Sequence, residues 1–79
     1  MGPAEAFGRA LRHRRREASL TQEQLALEAG LERVFISWLE TGRQQPSFHT
    51  MIKLAAALNC SAAELVSAAE ALMTNASEA

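Results

Sequence analysis

The segment from Thr21 to Pro46 constrains the fold of this 79-residue chain more than any other part of it. Its sequence is TQEQLALEAGLERVFISWLETGRQQP, in which two helical patterns flank a short turn around Gly30. Helices joined by so short a turn must cross steeply, so they need a small residue at their contact and a turn residue that tolerates positive φ. Ala26 and Gly30 meet these requirements. The side chains expected to fill the space between the two helices are Leu25, Leu31, Ile36 and Leu39.

Start and stop signals divide the chain into five predicted helices. Pro3 suits a first-turn position, Thr21 with Gln24 forms a capping-box pattern, and Gly30 suits a helix end. The predicted helices span residues 4–17, 22–29, 33–41, 48–58 and 62–72. Residues 74–79 are expected to be frayed. The predicted fold class is therefore all-α, a single five-helix domain over residues 1–79 with a helix-turn-helix formed by its second and third helices.

The charges are distributed unevenly along the chain. Residues 1–53 hold all eight basic residues and six glutamates, a formal charge of +2, whereas residues 54–79 hold three glutamates and no basic residue, a charge of −3. The net charge of −1 argues against indiscriminate binding of nucleic acid over the whole surface. The distribution still permits one basic face on an otherwise acidic body.

Several functional classes are excluded by what the sequence lacks. The single cysteine, Cys60, cannot form an internal disulfide, and cysteines and histidines are too few for a structural zinc site. The longest apolar run, residues 54–58, is far shorter than the ~20 residues of a membrane span, and no signal segment opens the chain. No catalytic set and no phosphate-binding glycine loop is present. We therefore expect a cytoplasmic protein that is not an enzyme, with no cofactor, metal, membrane or small-molecule substrate.

The third predicted helix has two chemically different faces when its residues are projected at 100° each. The face predicted to meet the core carries Phe35, Ile36 and Leu39. The opposite face is a ridge that fits the width of a DNA major groove, and it carries Arg33, Val34, Ser37 and Trp38. Arg33 can bind guanine O6 and N7 or a phosphate, Val34 can pack on a thymine methyl, and Ser37 can bond a base edge or a phosphate oxygen.

These patterns together resemble the Xre-type helix-turn-helix family, which includes the phage Cro and repressor DNA-binding domains. The resemblance covers about residues 7–66. The matching residues are Leu11-Arg12 and Arg15, Leu20-Thr21-Gln22, Leu25-Ala26, Gly30-Leu31, Ile36-Ser37, Glu40-x-Gly42, Pro46-Ser47, Leu54-Ala55-x-x-Leu58 and Leu65. Residues 32–37, in a domain of this length, also resemble the restriction–modification controller proteins.

The resemblance implies a lambda-repressor-like fold that binds double-stranded DNA. By this resemblance, Gln22 at the start of the second helix would clamp a phosphate, and the third helix would be the recognition helix. Arg43 and Gln44 in the following loop would contact the DNA backbone. Trp38 departs from the family, which usually has a small or polar residue there, and three interpretations stay open: an aromatic folded against the loop before Pro46, a DNA contact, or a surface for a protein partner.

The resemblance also implies a buried ion pair between the first and third helices. Glu40 is its acidic member. Helical phase alone does not choose between Arg14 and Arg15 as the basic member, whereas spacing from Thr21 favours Arg15. Such a pair indicates architecture more than net stability.

The fifth predicted helix has more apolar surface than one small core requires. Its surplus stripe predicts a two-fold dimer interface involving Val66, Ala69 and Met73, and the resemblance implies dimerisation in this region. A dimer would present two recognition helices to half-sites about 34 Å apart.

The predicted function is that of a sequence-specific, homodimeric transcriptional regulator on a palindromic operator. Within this class, a controller protein, a phage-type repressor and a DNA-binding antitoxin stay open. The rival is a protein-interaction module that kept the fold and lost DNA binding, favoured by Glu32 in place of a Ser-like cap and by the apolar Val34 and Trp38. A redox or ligand sensor would depend on Cys60 alone, for which a buried hydrophobic role is the alternative.

Overall fold

Five α-helices in succession form the part of the chain described by the computed structural model, which covers the backbone of residues 1–78 and the side chains of residues 1–74. The helices are α1 (Pro3–Glu17), α2 (Gln22–Ala29), α3 (Arg33–Glu40), α4 (Phe48–Ala57) and α5 (Ala62–Glu78). No strand occurs among these residues. The predicted all-α, five-helix class with a helix-turn-helix at α2 and α3 is confirmed.

Local hydrogen bonds explain where α2 begins and ends. The Gln24 backbone N–H donates to Thr21 Oγ1 at 3.0 Å, and the Thr21 backbone N–H donates to Gln24 Oε1 at 2.8 Å, which completes a capping box. Gly30 closes α2 in the left-handed conformation, with φ 70°. Because a side chain is strained at this φ, glycine suits the sharp turn into α3.

The fifth helix is longer than the sequence predicts. A helix ending near residue 72 and a frayed tail from residue 74 were expected, but α5 continues to Glu78, and Ala79 lies outside the described residues. The segment contains no glycine or proline, and it is rich in alanine, which favours continuation of a helix. Leu72 and Met73 also pack against the core, so they support the helix beyond its predicted end.

The hydrophobic core joins all five helices, and α1 approaches α3 closely within it. The largest fully buried side chains are Leu11, Leu25, Ile36, Leu39, Leu54 and Leu65. At Gly8, an added Cβ would clash with the backbone oxygen of Leu39 and would lie 2.6 Å from that of Glu40. Only glycine therefore allows the backbone of α1 to press against the last turn of α3, which fixes the position of α3 on the domain.

Within the described residues, no single helix is both long and apolar enough to cross a bilayer. The pair formed by α4 and residues 62–74 meets the criterion only when the two are taken together, and it is bent by 102° at its break.

Candidate nucleic-acid interface

Helix α3 separates its side chains into an inner and an outer face. On the inner face, Ile36 and Leu39 are each 0% exposed. On the outer face, Val34 is 38% and Trp38 is 36% exposed, Arg33 is exposed, and Ser37 is half-buried. The structure thus brings the four ridge residues together on one side of an eight-residue helix that is anchored by its other side.

An open apolar depression of about 550 Å³ lies at the junction of this ridge and the turn before it. Its lining consists of Gly30, Leu31, Glu32, Val34, Phe35 and Trp38. Trp38 therefore shares a concave surface with Val34 and the helix-turn-helix turn, and it is absent from the groove that contains Pro46. Such a surface accommodates a flat or methyl-bearing apolar group better than a charged one.

The loop after α3 folds back over the C-terminal end of that helix. The backbone N–H groups of Arg43 and Gln44 donate to the Trp38 carbonyl oxygen at 2.9 and 3.3 Å. Gly42 makes the reversal with φ 78°. As a result, the exposed side chains of Arg43 and Gln44 extend from a tethered loop next to the ridge.

A buried carboxylate, that of Glu40, connects α1, α2 and α3 on the inner side. Arg15 Nε donates to Glu40 Oε2 at 2.6 Å, and Arg15 Nη2 donates to Oε1 at 3.0 Å, a two-point ion pair between residues that are 8% and 4% exposed. Arg15 Nη1 also donates to the Leu20 carbonyl oxygen at 2.9 Å. Arg14 points elsewhere and pairs with Glu64 on α5 at 3.3 Å.

Two further donors converge on the same carboxylate. Gln22 Nε2 donates to Glu40 Oε1 at 3.1 Å, and Arg12 Nε donates to the same oxygen at 3.3 Å. Burial alone would raise the pKa of Glu40, but the hydrogen bonds from its three partners and the Arg15 charge outweigh this effect, so the pKa lies below its usual value. Glu40 is therefore ionised at neutral pH, and it orients Gln22 at the first residue of α2.

Sequence reasoning did not assign Arg12 to this cluster. The signal was its spacing, because Arg12 precedes Arg15 by three residues and so lies on a neighbouring part of the same helical face. Only the position of Glu40 in three dimensions shows that both side chains reach it.

The residues predicted at a dimer interface differ in their exposure. Ala69 is 7% exposed and belongs to the core, where it shares the helical stripe of buried Leu65, one turn earlier. Its place in a dimer interface stays a prediction. Val66 is exposed, whereas Met73 is half-buried and packs against the core. All three line a groove of about 230 Å³ that also includes Phe7, Pro46 and Met51.

The environment of Cys60 does not favour redox reactivity. Cys60 is half-buried, and burial raises the pKa of its thiol, with the Arg14 charge opposing and the Glu64 charge reinforcing the shift. A raised pKa disfavours the thiolate on which redox reactivity depends. Within residues 1–74, no group of three or more His, Cys, Asp or Glu side chains is arranged to hold a metal ion.

Comparison with known families places this geometry in a defined class. A helix-turn-helix domain family model matches residues 6–69, and the chain belongs to this family. The predicted Xre-type resemblance and the prediction that the chain is not an enzyme are confirmed by the family and its members. An HTH-type transcriptional regulator of Sinorhizobium fredii, y4dJ, is 44% identical over 52 residues, which are 66% of this chain and 68% of that protein.

Solved structures show the same fold. The clp gene regulator ClgR from Corynebacterium glutamicum superposes with a TM-score of 0.93 at 28% identity, and the match covers 99% of this chain and 83% of ClgR. The restriction-modification controller protein C.AhdI from Aeromonas hydrophila has a TM-score of 0.77 at 37% identity, over 78% of this chain and 94% of that one. Regulators of different systems therefore share this arrangement of helices.

Proposed function

We propose that this protein is a sequence-specific, duplex-DNA-binding transcriptional regulator that acts in the cytoplasm. The observation that carries the proposal is the outer face of α3, where Arg33, Val34 and Trp38 are exposed on a helix held firmly by its inner face. Membership of the helix-turn-helix family and the likeness to y4dJ and ClgR support it. In this role α3 enters the major groove as the recognition helix.

The contacts divide into those that position the protein and those that read sequence. Gln22 uses one amide hydrogen for Glu40, so its second hydrogen, together with the N-terminus of α2, is available for a phosphate oxygen. Arg43 and Gln44 contact the backbone from the tethered loop. These contacts with DNA phosphates set the register of the domain on the duplex.

Base reading falls to the ridge on α3. Arg33 binds a guanine edge through two hydrogen bonds, and Ser37 bonds a neighbouring base or phosphate. Val34 and Trp38 form the exposed part of the apolar depression, and a thymine methyl group is the base substituent that fits such a surface. The operator is therefore expected to contain a guanine flanked by thymine in each half-site.

The protein acts as a homodimer on a palindromic operator. The groove that Val66 and Met73 line, with Phe7 and Met51 beneath it, is an apolar surface that a second copy would cover. Residues 54–79 lack basic side chains, so this acidic C-terminal segment suits a surface away from DNA. Two copies related by a two-fold axis present their recognition helices to half-sites about 34 Å apart.

Selection from random duplex DNA tests these statements together. The full chain is incubated with the pool at low and physiological salt, alongside Arg33→Ala and a control, Arg9→Ala, which removes an exposed arginine of α1 that pairs with Glu5. We expect wild type and control to recover one two-fold symmetric site. Arg33→Ala should lose about 1–3 kcal/mol of preference at the guanine position.

Other results would point elsewhere. Recovery of a single, non-symmetric half-site would contradict the dimer but not the reading by α3. Binding that is equally strong to all sequences, or no binding at all, would overturn the proposal and favour the second candidate, a protein-interaction module. The observation that favours the module is the apolar depression beside Trp38, which suits an aliphatic side chain as well as a thymine methyl.

A further inference from the structure

The arginines of α1 have very different partners, although five of them lie within eight consecutive residues. Three are compensated, since Arg9 pairs with Glu5 at 3.1 Å, Arg14 with Glu64 at 3.3 Å, and Arg15 with Glu40 at 2.6 Å. The two others are Arg12, which shares the already paired carboxylate of Glu40, and Arg16, which has no ion pair or side-chain hydrogen bond within residues 1–74.

The cluster around Glu40 therefore keeps an excess positive charge. One carboxylate faces the guanidinium groups of both Arg12 and Arg15, which leaves one positive charge uncompensated. That charge is accessible at Arg12, whose side chain is 41% exposed and uses only Nε for its hydrogen bond. Its two terminal nitrogens have no hydrogen-bond partner among the side chains of residues 1–74, so they can donate to another anion.

The exposed charge of Arg12 lies close to Gln22, the first residue of α2. A single oxygen, Glu40 Oε1, accepts from both Arg12 and Gln22, so the two donors are neighbours. Arg16 follows Arg12 by one helical turn, at the end of α1 nearest the turn into α2. Arg12, Arg16, Arg9 and His13 line one shallow depression of about 380 Å³, so this surface is lined by basic side chains.

We propose that Arg12 and Arg16 bind backbone phosphates adjacent to the one that Gln22 contacts, so that α1 is a second phosphate-binding element. The inference rests on the proposed function. Arg12 and Arg16 are four residues apart, so they are separated by about 6 Å along one face of the helix, and two long side chains at this separation can reach neighbouring phosphates of one strand. Glu40 holds Arg12 and Gln22 in place before DNA arrives, which lowers the ordering cost of binding.

The salt dependence of DNA binding measures the number of these contacts. Dissociation constants of the full chain are determined between 50 and 200 mM salt on the duplex recovered by selection, for wild type, Arg12→Gln and Arg16→Gln. The association constant, the inverse of the dissociation constant, falls as salt rises. Each substitution should make the slope of its logarithm against the logarithm of the salt concentration less negative by about 0.9. The affinity lost across this salt range then becomes about 3.5-fold smaller for each variant. The preferred sequence should not change.

Arg14→Gln is the matched control, because it removes an α1 arginine that is paired with a glutamate and does not line this depression. The control should keep the wild-type slope. The proposal is overturned if Arg12→Gln and Arg16→Gln also keep it. Thermal unfolding shows whether Arg12→Gln also destabilises the fold. If it does, Arg16→Gln decides the matter, because it breaks no ion pair or side-chain hydrogen bond within residues 1–74. If wild type shows no sequence preference at all, it is the proposed function that fails instead.

Discussion

The two faces of α3 differ in what holds their side chains. The inner face ends at Glu40, which four hydrogen bonds fix to α1 and α2, and its apolar side chains are packed in the core. On the outer face, Arg33, Val34 and Trp38 are exposed. An isolated helix of eight residues is unstable in water, so the inner face must stabilise what the outer face presents.

In so small a domain, recognition of DNA and stability of the fold therefore depend on different side chains of the same helix. A substitution on the outer face removes little buried area, so it changes recognition with little effect on stability. A substitution on the inner face disturbs a buried charge or the core, so it affects stability first. The overall identity of 28% with ClgR at a TM-score of 0.93 shows that this fold tolerates extensive change of sequence.

The largest effect that would test this comparison is expected for Glu40→Ala. The substitution leaves Arg15 buried without its carboxylate, which costs about 3–5 kcal/mol of unfolding free energy. Urea denaturation at neutral pH measures the loss. Glu32→Ala, at the exposed start of α3, is the matched control and should change the free energy by less than about 0.5 kcal/mol.

A third variant separates the charge from the packing. In Arg15→Met with Glu40→Leu, two apolar side chains replace the pair, and much of the lost stability should return because no buried charge is left alone. Equal stabilities of Glu40→Ala and Glu32→Ala would show that the carboxylate does not hold α3, which breaks the distinction between the two faces.

A smaller effect is expected when the stability contributed by Glu40 is measured as a function of pH. The pKa of Glu40 is lowered in the folded protein, so the unfolded state binds the proton more readily, and the stability from Glu40 is complete above the ordinary glutamate pKa of about 4.3. It is lost as the pH falls through the lower pKa of the folded state. The difference in unfolding free energy between wild type and Glu40→Gln should therefore shrink below about pH 4.3. A constant difference from neutral to acidic pH would contradict this role of the charge.

Local signals made much of the fold predictable from sequence. The capping box at Thr21 and the left-handed Gly30 depend on neighbouring residues alone, and the structure has both. The predicted end of α1 at residue 17 agrees with the structure, but the positive φ of 60° at Ser19 in the following turn has no glycine or asparagine to indicate it. The length of α5 was missed because it depends on the packing of Leu72 and Met73 against distant helices.

The candidate site was predictable as a face but not as a network. Helical phase assigned Val34 and Trp38 to the outer side of α3, where they are exposed. Phase did not reveal that Gln22 and Arg12 share one oxygen of Glu40, since this depends on how α1, α2 and α3 cross. Phase likewise did not reveal how deeply Ala69 is buried, because adjacent stripes of one helix are distinguished only by what packs against them.

An NMR titration of the full chain with the selected duplex tests directly whether the outer face of α3 meets DNA. Backbone amide shifts report which residues meet DNA without any substitution. We expect the large shifts to map to the start of α2, the outer face of α3 and the loop with Arg43 and Gln44. Shifts confined to α4 and α5, around the exposed Phe48, Ile52 and Val66, would contradict it, because DNA would then meet a surface away from the recognition helix.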